Sequence, residues 1–105
     1  MTFPAHRVPV PESGDINDVF TSEDWTPGAY CGPVSGYTGP TTAVFFLLPC
    51  ARDEDVAPGL RSIQHVVSPP HTFRECPDGS LEVRASIGIP EWHCWLDEGN
   101  VWRHP

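Results

Sequence analysis

The chain has no lysine, so six arginines carry every fixed positive charge against fourteen carboxylates, and the formal net charge is -8 at pH 7. That balance excludes unassisted binding to a nucleic-acid backbone, which needs cationic groups to displace condensed counterions. Long apolar runs are also missing. The longest, residues 43–48, is strand-sized and far short of the roughly 20 residues that cross a membrane as a helix, so no membrane partner is expected. The opening stretch MTFPAHRVPVPESGD has no apolar signal core followed by a small-residue cleavage site, which predicts a cytoplasmic location. Close cysteine pairs are absent too: the nearest two, Cys76 and Cys94, stand eighteen positions apart, so the short-spaced zinc signatures do not occur. In a reducing compartment Cys31, Cys50, Cys76 and Cys94 are expected as thiols or metal ligands rather than as disulfides.

Motifs for catalysis are likewise lacking. The segment 26–42 is rich in glycine and proline but has neither Walker spacing nor a lysine, and it reads as irregular loop. Ser35 lacks the glycine two positions before it that a nucleophile elbow requires. Cys76 or Cys94, with His71 or His93 and Asp78 or Asp97, supply the residue types of a nucleophile, base and orienting acid, but at no spacing that marks such a set. Glu75, Glu82 and Glu91 read as solvated strand positions with Arg74 and Arg84 as counter-charges. No enzymatic activity is predicted.

What the chain does contain is proline and glycine, thirteen and nine residues respectively among 105, with 39% hydrophobic residues and no long amphipathic helical pattern. This composition predicts an all-β or β-dominated fold, a single small antiparallel sheet or a sandwich of about five or six short strands. An extended proline-rich arm over residues 1–14 and a β core over 43–104 make one domain spanning 1–105. Residues 15–25 place Ile16, Val19 and Phe20 on one helical face among acidic neighbours, enough for a turn or two of helix with a solvated acidic side. Residues 43–48 read as a strand buried on both faces and stopped by Pro49. A polar loop follows over 50–61, then a returning strand over 62–68.

The most informative stretch is 70–102. Pro77-Asp78-Gly79 is a turn signal: proline presets φ, aspartate accepts from nearby backbone N–H groups, and glycine adopts a left-handed conformation. A three-residue loop with a glycine bulge is expected. Beyond it Leu81, Val83, Ala85, Ile87 and Ile89 alternate with Glu82, Arg84 and Ser86, the period-two pattern of a half-buried strand. Pairing Cys76 with Ser80 sets Arg74 opposite Glu82, Phe73 opposite Val83 and His71 opposite Ala85. The alternative register sets Glu75 against Glu82, a like-charge pair. A second hairpin is expected from Trp92 through Asp97-Glu98-Gly99-Asn100 to Arg103, its register open.

Two sets of candidate site residues follow. His71, His93, Cys31 and Cys94 offer imidazole and thiolate to a zinc ion, although adjacent His93 and Cys94 should face opposite sides of a regular strand. Trp92, Trp95 and Trp102, crowded within eleven residues, are either caps of a small core or anchors for a protein partner.

The residues His71-Thr72-Phe73, Asp78-Gly79-Ser80-Leu81-Glu82-Val83, Ala85-Ser86-Ile87 and Trp92-His93-Cys94-Trp95-Leu96 together resemble a family of small uncharacterised proteins and domains found in bacteriophage genomes and their bacterial hosts. Its pattern is a histidine, an Asp-Gly-x-Leu hairpin, a Ser-Ile step and a Trp-His-x-Trp-Leu element. Members often have proline where this chain has Ala85 and glycine where it has Cys94. The resemblance implies a compact, phage-encoded β-rich module, and it brings no activity with it. The expected function is a non-enzymatic interaction module, an accessory or virion-associated phage protein that binds itself or phage structural proteins in the host cytoplasm. Two alternatives stand beside it: a small zinc-binding protein, and an acidic inhibitor of a host nucleic-acid-binding protein.

Overall fold

The computed structural model describes residues 2–36, 39–49, 62–89 and 92–104, with side chains for all of these except 36, 39–41, 62, 63, 89 and 92. The fold is β-dominated, as composition predicts, and consists of two sheets. Strands β1 (Thr2–Pro4), β6 (Thr72–Glu75), β7 (Leu81–Ile89), β8 (Trp92–Asp97) and β9 (Val101–Arg103) form one, in the order β1-β9-β8-β7-β6. Strands β2 (His6–Arg7), β3 (Ala29–Gly36), β4 (Gly39–Pro49) and β5 (Ser62–Val67) form the other in sequential order, with β2 parallel to β3 and the remaining pairs antiparallel. The only helix among the described residues is α1 (Asn17–Phe20).

Strand alternation builds the core. Tyr30, Val44, Phe46, Leu48 and Val67 from the four-stranded sheet meet Leu81, Val83, Ile87, Cys94, Leu96 and Trp102 from the five-stranded sheet in one buried cluster. The alternate residues of β3 and β4, Ala29, Cys31, Ala43 and Phe45, form a second cluster with Val8, Ile16 and Val19. The four-stranded sheet is therefore apolar on both faces, and residues 8–25 with α1 cover its outer one. This is the burial expected for residues 43–48. The helical spacing of Ile16, Val19 and Phe20 is also realised, with Ile16 and Val19 buried and Phe20 packed against the same cluster.

The predicted turn forms. Gly79 donates to the Cys76 carbonyl at 3.0 Å, Cys76 donates to the Ser80 carbonyl at 2.9 Å, and Gly79 has φ +88°. Phe73 stands opposite Val83 and Arg74 opposite Glu82, the register that charge pairing selects. The open register of the second hairpin is Trp95 to Arg103, Leu96 to Trp102 and Asp97 to Val101.

The proline-rich arm runs as an extended segment along both sheets. Its β1 pairs with β9 in one sheet and its β2 with β3 in the other, so it crosses between layers at Ala5. Gly28 makes that crossing possible: a Cβ there would stand 2.6 Å from the Pro4 carbonyl oxygen, and its φ is +98°. The Gly28 carbonyl accepts from His6 N at 3.3 Å and from Trp102 Nε1 at 3.0 Å. One expectation is corrected. Residues 26–42 are not irregular loop, because β3 and the start of β4 run through them. Gly32-Pro33 falls where the β3–β4 register shifts between Cys31 and Val34, and a bulge tolerates a residue without an N–H. The polar loop expected over 50–61 lies outside the described residues.

Polar bonds tie the layers together. Arg7 on β2 donates to the Glu75 carboxylate on β6 at 2.7 and 2.5 Å, and to the carbonyls of Gly79 at 3.0 Å and Gly32 at 2.8 Å. Tyr30 Oη donates to Asn100 Oδ1 at 2.5 Å and accepts from Leu81 N at 3.1 Å. Burial pushes the Tyr30 phenol up, and the Arg7 hydrogen bond holds the Glu75 carboxyl below its usual range. The Tyr30 bonds and the Arg7–Gly32 bond join buried or half-buried polar atoms, so their loss would leave an unsatisfied group, whereas the Arg7–Glu75 pair is exposed to solvent.

Candidate interaction surface

The inward side chains of the five-stranded sheet are apolar, so its outward positions are set by the same alternation: Thr72 and Arg74 on β6, Glu82 and Arg84 on β7, His93, Trp95 and Asp97 on β8, and Arg103 on β9. Register turns them into a continuous row. Glu98 lies 3.8 Å from Arg74, which donates to Glu82 at 3.0 Å; Arg84 reaches Glu82 at 3.6 Å and Asp97 at 2.8 Å; and Arg103 Nε donates to Asp97 Oδ2 at 2.8 Å. The row ends where the Arg103 guanidinium lies 4.6 Å over the Trp95 ring, a favourable stack of cation on indole.

Electrostatics follow from this geometry. Burial pushes the Asp97 carboxyl up, but hydrogen bonds from Arg103 and Arg84 outweigh it and hold the group below its usual range. Glu82 is held down chiefly by the hydrogen bond from Arg74. Three arginines face three carboxylates, so this face is charge-balanced on a chain of net charge -8. Arg74, Arg84 and Arg103 are each engaged by a carboxylate. The arrangement holds planar, polar-rimmed groups in fixed positions around a half-buried tryptophan, and that suits contact with another protein surface.

The tryptophans separate. Trp95 is half-buried on this face. Trp102 is fully buried between the sheets, edge-on to Phe46 with centroids 5.5 Å apart, so its expected role in partner contact is corrected to core packing. The backbone of Trp92 pairs with Ile89, and its side chain lies outside the described ones.

The expected metal set is not assembled, and the reason is layering. Cys31 is buried in the outer cluster and Cys94 in the inter-sheet core, on opposite sides of the four-stranded sheet. Cys94 Sγ donates to the Ile87 carbonyl at 3.4 Å, His93 is exposed, and His71 bonds the Ser86 carbonyl at 3.1 Å. Among the described residues no group of three or more His, Cys, Asp or Glu side chains is placed to hold a metal ion. Cys31, Cys76 and Cys94 are buried and none is disulfide-bonded, and burial pushes the Cys31 thiol up. Cys50 lies outside the described residues.

Sequence reasoning missed Arg84, Asp97 and Arg103 as members of one network. The outward alternation of Glu82 and Arg84 was a usable signal; the contacts of Asp97 and Arg103 needed the hairpin register. No helix of the described residues is long and apolar enough to cross a membrane. Comparison of the chain with protein-family models, with curated proteins and with solved structures finds no match.

Proposed function

We propose that this protein is a non-enzymatic β-sandwich interaction module that binds a protein partner through the open face of its five-stranded sheet, with Trp95 as anchor. The observation that carries the reading is the Arg103–Trp95 stack at the end of the ion-paired row. Tryptophan and arginine dominate binding hot spots, and a rim of polar groups around such an anchor excludes water on docking. The non-enzymatic part is supported by the buried cysteines: a nucleophilic thiol needs access and a lowered pKa, whereas Cys31 is buried with its pKa raised. The C-terminal resemblance supports a phage accessory role in the host cytoplasm, with a virion component or a second copy as partner.

The test is affinity capture from an infected-host lysate with the wild-type chain and with Trp95→Ala, the fold of each checked by circular dichroism. A partner held by the wild type and lost by Trp95→Ala is the expected result. A partner held equally by both would move the interface away from this face.

A further inference from the structure

We propose that the outer edge of β5 is a strand-addition site for an extended, basic segment of a partner protein. This surface is distinct from the Trp95 face and lies on the other sheet.

β5 pairs with β4 over all six of its residues, from Val67 opposite Val44 to Ser62 opposite Pro49. Sheet order places it last, so among the described residues no strand pairs with its other side. An edge strand presents a row of N–H and C=O groups, and such edges are normally blunted by shortness, proline or charge. The other three terminal strands are blunted. β1 has three residues and ends in Pro4, β2 has two, and β6 has four, including Arg74 and Glu75. β5, SIQHVV, contains neither proline nor a carboxylate, lysine or arginine.

Its surroundings specify what an added strand would carry. At the β5 edge, Phe20, Phe45, Gln64 and Val66 from the outer side of the sheet, with His65 from the other side, line a groove of about 300 Å³. Val66 is 44% exposed and so available to an added strand. A strand paired with β5 points every second side chain to the face that holds Gln64 and Val66, so one apolar side chain would enter the groove. The charge of the occupant follows from residues 8–25, which cover this face. They contain Glu12, Asp15, Asp18, Glu23 and Asp24 and no arginine. An alternation of arginine or lysine with apolar residues matches both the groove and the acidic cover, while a second copy at net charge -8 does not. Recognition then follows β-augmentation, with affinity from main-chain bonds and specificity from the groove and the charges.

The experiment uses the full chain, isotope-labelled for amide exchange, and three short synthetic peptides of equal length. One alternates arginine and valine around a central phenylalanine, one replaces arginine with glutamate, and one repeats the first with alternate backbone nitrogens methylated. Val66→Arg is the protein variant, its fold checked by circular dichroism. We expect β5 amides that exchange rapidly in the free chain to slow on adding the arginine peptide, with binding that weakens as salt rises. Val66→Arg should bind that peptide about tenfold or more weakly, and the methylated peptide should not bind. Four results would each overturn the proposal. They are β5 amides all protected in the free chain, glutamate and arginine peptides bound equally, undiminished binding of the methylated peptide, and a wild-type dimer that Val66→Arg dissociates.

Discussion

The outer face of the four-stranded sheet is closed by Ile16, Val19, Phe20 and Trp25 packed over Ala29, Cys31, Ala43 and Phe45, whereas among the described residues nothing apolar packs over the outer face of the five-stranded sheet, which carries arginines and carboxylates in register. Each sheet turns its other face to the shared core. The closed face gains stability from apolar burial, at roughly 25 cal/mol per Å² removed from water. The open face gains little from its ion pairs, because exposed pairs are screened and lose side-chain entropy on forming. The order of the open face is thus poorly accounted for by stability, which is the ground on which recognition is proposed for it.

The comparison breaks most directly at Phe45, which is 3% exposed and meets Phe20 edge-on with centroids 5.8 Å apart. Phe45→Ala should cost about 3–5 kcal/mol of unfolding free energy by denaturant titration, a large share of the roughly 5–15 kcal/mol that a domain commands. A cost below about 1 kcal/mol would mean that residues 8–25 rest on the sheet without joining its cooperative core.

On the open face the corresponding test is Asp97→Asn, which weakens contacts to both Arg84 and Arg103. The side chain of Asp97 is 22% exposed, and solvent screening keeps the expected loss to about 1 kcal/mol or less. The difference between wild type and variant should shrink as salt is raised. A loss as large as that of Phe45→Ala would make the row a structural element and remove the stability argument for recognition.

How far the sequence speaks for each face depends on how local its signals are. The closed face was legible in outline, because a continuous apolar run at 43–48 and helical spacing at 16–20 are read within a few residues. The first hairpin was legible to the register, since turn chemistry at 77–79 and the Arg74–Glu82 pair agree. β3 was hidden by Gly32 and Pro33, which the strand accommodates at a bulge between the paired residues Cys31 and Val34. The open face was half legible. Opposite faces for His93 and Cys94 follow from alternation, but whether Trp95 or Trp102 turns outward depends on a register that a one-residue slip reverses. The Arg7–Glu75 tie joins residues 68 positions apart, and no local pattern contains it.

The smallest expected effect separates the two regions by pH. His65 stands on β5 opposite Phe46, and burial, with the charge of His71, lowers its pKa from 6.5. On the open face, Asp97 and Glu82 are held below their usual carboxylate range. A lowered histidine binds its proton more readily in the unfolded chain, so its contribution is full above pH 6.5 and declines as pH falls toward the folded-state value. The carboxylates are lowered by cations, so their contribution is present above about pH 4 and declines only below it. Stability should therefore fall in two acid steps, the first reporting the four-stranded sheet at β5 and the second the ion-paired row, together with Glu75 and Asp78. His65→Gln should flatten the first step and leave the second, while Asp97→Asn should reduce the second and leave the first. Denaturation midpoints across the acid range read both, and a first step that survives His65→Gln would assign it to another group.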